Sequence, residues 1–203
     1  MQINLIKVGG KIVEEKASLA ALLASFSQIE GAKVLVHGGG RTATATATQL
    51  GIETTMIGGR RVTDAAMLNV VTMVYGGLVN KQIVAQLQAL GIDAIGLTGA
   101  DLNFIRSHKR PVKDVDYGFV GDVENVRAEA LEMLLKAGAV PVIAPLTHDG
   151  KGQLLNTNAD TMAAAAATGL AALHHDVTLT YCFEKPGVLA NPNDDTSVIP
   201  RLT

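Results

Sequence analysis

The sequence predicts an α/β protein built as three layers, α/β/α, around a mainly parallel central sheet. Three observations predict it. Short apolar runs rich in β-formers recur at residues 3–8, 33–36, 94–97, 140–144 and 177–182. Segments of helical spacing separate them, and strands covered on both faces read as such continuous apolar runs. The first two runs end in glycine clusters, Gly9-Gly10 and Gly38-Gly39-Gly40, where a strand can turn sharply into a helix. There is no long-period repeat and no linker-like stretch, so residues 1–203 are taken as one domain.

In chain order, residues 3–8 form the first strand and residues 17–26 have helical spacing. Residues 33–36 form the second strand, and the alternating Thr and Ala of residues 42–48 suit a helix packed by small side chains. Residues 54–62 read as a hairpin around Gly58-Gly59. The longest helix starts at Thr63-Asp64, either of which can cap its free N–H groups. Leu68, Val71, Val74, Leu78, Ile83 and Leu87 then recur at helical intervals, interrupted at Gly76-Gly77, where a bend or a close helix contact is expected. Strands follow at 94–97 and 140–144, and a second hairpin at 146–155 turns on Asp149-Gly150-Lys151-Gly152. The Ala-rich segment 162–172 is a helix, and 177–182 is the last strand.

Composition narrows the function. The chain has 17 Lys plus Arg against 19 Asp plus Glu, and 3% aromatics without Trp. A near-neutral chain poor in stacking side chains is a poor nucleic-acid binder. One cysteine, Cys182, excludes a disulfide framework and a multi-cysteine zinc site. His148, His174 and His175 lack ligand spacing, so no metal site is expected. No targeting pattern and no membrane-length apolar stretch is present, and the expected setting is cytoplasmic, with no membrane partner.

The two glycine clusters carry the first chemical signal. Glycine lets backbone N–H groups approach an anion closely, and a helix starting just beyond adds its positive end. Ligands of open α/β sheets bind outside the carboxyl ends of the strands. Neither cluster has the spacing of a P-loop or a dinucleotide fingerprint. Lys7 lies inside an apolar strand, where an ammonium is costly unless paired. It is read either as a cation for a transferring phosphoryl group or as an edge-strand lysine reaching solvent. Asn156, Asn158 and Asp160 alternate ahead of the Ala-rich helix, which is more than one cap needs. Arg60-Arg61 follow a glycine turn, and an arginine there suits a carboxylate through its planar fork. Lys109, Arg110 and Lys113, with Asp114 and Asp116, read as a solvated loop. His37 reads as structural and Cys182 as a small buried hydrophobe.

Taken in order, seven segments resemble the amino-acid kinase family and, within it, the N-acetylglutamate kinases of arginine biosynthesis. They are Ile6-Lys7-Val8-Gly9-Gly10, Val36-His37-Gly38-Gly39-Gly40, Gly59-Arg60-Arg61-Val62-Thr63-Asp64, Gly96-Leu97-Thr98-Gly99-Ala100-Asp101, Gly118-Phe119-Val120-Gly121, Asn156-Thr157-Asn158-Ala159-Asp160 and Pro186-Gly187-Val188-Leu189. The resemblance implies transfer of phosphate from ATP, with Mg2+, to the γ-carboxylate of an N-acylglutamate. It implies Lys7 and Asp160 as catalytic residues, the lysine stabilising the phosphoryl in flight and the aspartate organising the active-site lysines. It implies Gly39, Gly40, Arg61 and Asn156 as substrate-binding, Gly9, Gly10 and Gly187 as nucleotide-binding, and a homodimer. Two departures stand out. Family members continue past the equivalent of Thr203 with a glycine-glycine-methionine segment and a second catalytic lysine, so the resemblance implies that the C-terminal part is missing. They also commonly have proline where Arg41 follows the glycines, which leaves N-acetyl and N-succinyl substrates both open. A non-catalytic acylglutamate-binding module, or a sister kinase of the same fold, is the alternative.

Overall fold

The apolar runs pair as parallel neighbours because the chain between them is long enough to cross a face of the sheet as a helix. A computed structural model describes residues 1–201. Strand β1 (Gln2–Val8) leads through Gly9 into the short α1 (Gly10–Glu14) and then α2 (Lys16–Ser27). Strand β2 (Ala32–His37) leads through Gly38 and Gly39 into α3 (Gly40–Gln49). The small strands β3 (Met56–Ile57) and β4 (Arg60–Arg61) form the first hairpin. The long helix is capped by Asp64, whose Oδ1 accepts from Met67 N at 2.7 Å. It runs as α4 (Ala65–Val71), a π-helical stretch (Thr72–Val79) and α5 (Asn80–Ala89). Next come β5 (Ala94–Leu97), a 3-10 turn (Asp101–Asn103), β6 (Ile105–Lys109), β7 (Gly121–Val126) and α6 (Ala128–Lys136). The last elements are β8 (Val140–Ile143), β9 (Leu146–His148), β10 (Leu154–Asn156), α7 (Ala159–Ala172) and β11 (Asp176–Cys182).

The central sheet is wholly parallel, in the order β11-β1-β2-β8-β5. Alternation along β1 divides the core into two layers. Ile3 and Leu5 pack with Leu131, Met162 and Ala166 from α6 and α7. Ile6 and Val8 pack with Leu23, Phe26 and Val74 on the opposite side. That is the three-layer arrangement the sequence predicts. A second, mixed sheet, β10-β9-β6-β7, is joined through a single parallel pairing of Arg106 with His148.

Four elements were not foreseen: α1, β6, β7 and α6. Strand β6 buries only Ile105 and Ser107 and exposes Arg106, His108 and Lys109, so its composition resembles a loop. Lys109 therefore ends a strand rather than lying in a loop, and the Nε of Arg110 contacts both oxygens of Asp122 at 3.1 Å. The interruption at Gly76-Gly77 falls within the π-helical stretch. Gly76 faces inward, where a Cβ would lie 3.4 Å from Leu146 Cδ1, while Gly77 faces open space. Among the described residues, no helix is long and apolar enough to cross a membrane.

Candidate active site

Strands β1 and β2 are neighbours, and their registers bring Val8 beside His37. Their glycine turns therefore meet at the carboxyl edge of the sheet. The Gly9 N–H donates to Cys182 O at 2.8 Å and the Gly38 N–H to Val8 O at 3.1 Å. The turns touch: a Cβ on Gly38 would lie 3.3 Å from Gly10 N. Gly39 has φ +157°, and a Cβ there would meet the Tyr75 ring at 3.1 Å. Both positions are tightly packed, and a side chain at either would have to push its neighbour aside by a few tenths of an ångström.

A cavity of about 480 Å³ opens above these turns. Helix α3 begins at its wall with Gly40, and α7 begins there with Ala159. Asn158 caps α7, its Oδ1 accepting from Thr161 N at 3.0 Å. Free N–H groups and the positive ends of two helices thus face one space, which favours an anionic ligand.

Charged side chains strengthen that field. Lys7 is an odd-numbered residue of β1, so it points to the α7 side, as Ile3 and Leu5 do. Its Nζ lies 2.7 Å from Asp160 Oδ1, with the lysine side chain 13% and the aspartate 53% exposed. Because β1 lies between β11 and β2, Lys7 is not an edge-strand lysine. Arg61 is buried at the cavity wall. Its Nη2 donates to Gly40 O at 2.7 Å and Thr44 Oγ1 at 2.9 Å, which uses both Nη2 hydrogens. Its Nη1 makes only a long contact to Thr54 Oγ1 at 3.5 Å and one to the Met67 sulfur at 3.8 Å. Among the described residues no carboxylate pairs with Arg61. A buried guanidinium with no counter-charge is costly, and an anionic ligand would relieve it. Tyr75 lies beside Arg61; burial raises its phenol pKa, and the guanidinium pulls it back.

Asn156 ends β10 with its Nδ2 on Thr63 Oγ1 at 2.9 Å, tying the wall to the start of the long helix. The adjacent Thr157 shares a 2.8 Å bond with Thr147. Lys7, Gly10, Gly39, Gly40, Arg61, Asn156 and Asp160 all line the one cavity. Gly9 stands one residue behind its wall. Gly187 lies elsewhere, packed against Val198, where a Cβ would sit 2.9 Å from Cγ1.

Lys11, Tyr75 and Glu184 also line the cavity and were not singled out from the sequence. The signal for Lys11 was its place directly after Gly10; Tyr75 carries no local signal, since only tertiary packing brings it under Gly39. Glu14, on α1, accepts from Thr42 N at 2.9 Å and stands 4.0 Å from Arg41 Nε. Among the described residues, no group of three or more His, Cys, Asp or Glu is placed to hold a metal ion.

The model of the amino acid kinase family matches residues 2–203. The acetylglutamate kinase of Phocaeicola vulgatus is 69% identical over 202 residues, covering 100% of this chain and 78% of the relative. That of Cytophaga hutchinsonii is 53% identical, covering 99% of this chain and 76% of the relative. Among solved structures, N-acetylglutamate synthase from Neisseria gonorrhoeae, complexed with coenzyme A and N-acetyl-glutamate, superposes with a TM-score of 0.77 at 25% identity. It covers 92% of this chain, which spans 42% of that structure. Aspartokinase III of E. coli, complexed with aspartate and ADP, shares the fold with a TM-score of 0.59 at 15% identity, over 91% of this chain and 50% of that one. Both the sheet with its paired glycine turns and this relatedness along the whole chain lead to one conclusion: the chain belongs to the amino acid kinase family and is a kinase.

Proposed function

We propose that the protein transfers the γ-phosphoryl group of ATP to the γ-carboxylate of N-acetyl-L-glutamate, or a close N-acylglutamate, in arginine biosynthesis. The observation that carries this reading is the pair of cations in one cavity, a buried Arg61 without a carboxylate partner and Lys7 held by Asp160. In this reading the substrate α-carboxylate lies against the Arg61 guanidinium and accepts from Nη1, whose own contacts are long. Gly39, Gly40 and Asn156 hold the rest of the amino acid. Gly9 and Gly10 lie on the nucleotide side, and Gly187 is assigned there by resemblance.

The reaction needs little from side chains beyond position and charge. An oxygen of the γ-carboxylate attacks the γ-phosphorus, the bond from that phosphorus to the bridging oxygen breaks, and ADP leaves. The acceptor is already an anion, so no general base is required. Lys7, held by Asp160, places a positive charge where the transferred group spreads its own negative charge. The positive end of α3 does the same from the substrate side. Mg2+ would arrive on the ATP phosphates, which suits a cavity whose acidic residues are Asp160 and Glu184. A cytoplasmic homodimer belongs to the same reading, supported by Met73 and Leu78, large apolar side chains exposed on the long helix.

The test is a coupled assay for ADP with N-acetyl-L-glutamate as acceptor, beside calorimetry with each ligand alone. Turnover that depends on the acylglutamate supports the proposal. Tight acylglutamate binding without turnover identifies a binding module instead, and turnover with aspartate or unacylated glutamate alone identifies a sister kinase.

A further inference from the structure

His37 is fully buried at the end of β2, immediately before the substrate-side glycines. Its ring joins a closed set of bonds. His37 Nδ1 lies 2.7 Å from Gly38 O, and Nε2 lies 3.0 Å from Asn80 Nδ2. The same amide nitrogen donates to Val142 O at 2.9 Å, and Asn80 Oδ1 accepts from Lys81 Nζ at 3.1 Å. These partners fix the amide orientation: the oxygen faces an ammonium, and the nitrogen faces a carbonyl and the ring. Asn80 therefore donates to Nε2, so the proton of the neutral imidazole sits on Nδ1 and donates to Gly38 O. Burial keeps the ring neutral, with its pKa lowered to about 4.

The carbonyl of Gly38 shares a peptide plane with the N–H of Gly39. Among the described residues no peptide bond is cis, so the two point in opposite directions. Holding the carbonyl against the buried ring turns the Gly39 N–H away from it. Gly39 lines the cavity, and among the described residues its N–H has no acceptor. The surrounding sequence accommodates this arrangement. A Cβ on Gly96 would stand 1.8 Å from Asn80 Oδ1, so the asparagine can reach His37 only past a glycine.

The π-helical stretch supplies the geometry. The Asn80 N–H reaches back to Tyr75 O, a bond spanning five residues. In an α-helix, residues five apart diverge by about 140°. Wider winding keeps Tyr75 and Asn80 on one face, and Tyr75 packs under Gly39 while Asn80 holds His37.

We propose that His37 and Asn80 are positioning residues that aim the Gly39 N–H at the acylglutamate. The inference rests on the kinase reading; turnover by the parent protein tests that reading, and differences among variants test this one. Asparagine at 37 can keep a donor near the Nδ1 position, and glutamine can keep an acceptor near Nε2. His37→Asn should hold KM for N-acetyl-L-glutamate within about threefold, while His37→Gln and Asn80→Ala raise it about tenfold or more. KM for ATP should stay within twofold in all three. Equal KM in all variants, with only melting temperature reduced, overturns the proposal, as does an equal rise in His37→Asn and His37→Gln. A measurement on the parent needs no variant to fold. Two-bond proton–nitrogen spectra should show the Nδ1–H tautomer of His37, and the Gly39 amide should shift when N-acetyl-L-glutamate is added. An Nε2–H tautomer, or a Gly39 amide indifferent to saturating ligand, overturns it as well.

Discussion

Replacing Arg61 by lysine keeps the charge and removes the planar fork. The two shortest bonds of Arg61 both come from Nη2, to Gly40 O at 2.7 Å and to Thr44 Oγ1 at 2.9 Å. A lysine ammonium can replace one of them. The lost bond involves a charged donor and is worth roughly 1.5–3 kcal/mol. For a domain of this size, a loss of about 2 kcal/mol lowers the melting temperature by roughly 4–8 °C. The ligand loses more than the fold does. The Nη1 and Nε donors, on different edges of the guanidinium, disappear together, and an ammonium that keeps a bond to Gly40 O or Thr44 Oγ1 has fewer hydrogens to offer the carboxylate. A tenfold to hundredfold weaker Kd for N-acetyl-L-glutamate follows, about 1.4–2.8 kcal/mol. ATP should bind within twofold of the parent. Isothermal calorimetry on the folded variant measures both, and adding the acylglutamate should raise the melting temperature of the parent more than that of the variant. Unchanged acylglutamate affinity refutes the carboxylate contact; equal weakening of both ligands points to a general disturbance of the cavity.

Lys7→Ala should lower kcat by about a hundredfold or more with KM little changed, because its charge matters most as the phosphoryl group moves; near-normal kcat would make Lys7 a packing residue. His37 is pushed down to about 4 by burial, below the ordinary 6.5. Between those values the unfolded chain binds the extra proton, so stability rises with pH, is complete above about 6.5 and falls as pH drops towards 4. The whole loss amounts to about 3 kcal/mol, and urea titrations should show this slope in the parent and not in His37→Asn. Arg41 lines the cavity, its side chain 66% exposed and, among the described residues, held by the 4.0 Å approach of Glu14 alone. If it meets a second carboxylate, the parent prefers N-succinyl- to N-acetylglutamate and Arg41→Ala loses that preference; an unchanged ratio of the two kcat/KM values removes Arg41 from the acyl site.

The parts of the fold legible in the sequence were those with continuous apolar runs. All five central strands, both hairpins and the helix packed by Ala43 and Ala47 stand where the pattern placed them. Strands β6 and β7 were not legible, because each buries few side chains and carries charge on its open face. Helix α6 has only nine residues, and its helical signal rests on Leu131 and Leu135, four apart, which face the core beside Ala128. At the site, glycines and charges were legible because their residue types are costly in a strand or turn without a reason. Lys7 is the clearest example, since its partner Asp160 comes from the far side of the sequence. The alternation of Asn156, Asn158 and Asp160 was informative: all three line the cavity, and Asn158 is the helix cap as well. Tyr75 and Asn80 were invisible as site residues, because only π-helical winding and the fold bring them to the glycine turn.

The pairing of β1 with β11, from Gln2 with Asp176 to Val8 with Cys182, has a consequence for how the protein is made. Strand β1 leaves the ribosome before the other described elements, yet it acquires one of its two neighbours only when nearly all the described chain has been synthesised. At about 5–20 residues per second, that interval is roughly ten to forty seconds. During it, the side of β1 reserved for β11 is an open edge, and Lys7 has no Asp160. The Lys7–Asp160 half of the site therefore forms late, and contacts so distant in sequence slow the final step. A nascent chain arrested before α7 should be sensitive to protease and to chaperone binding, with β2 its earliest protection.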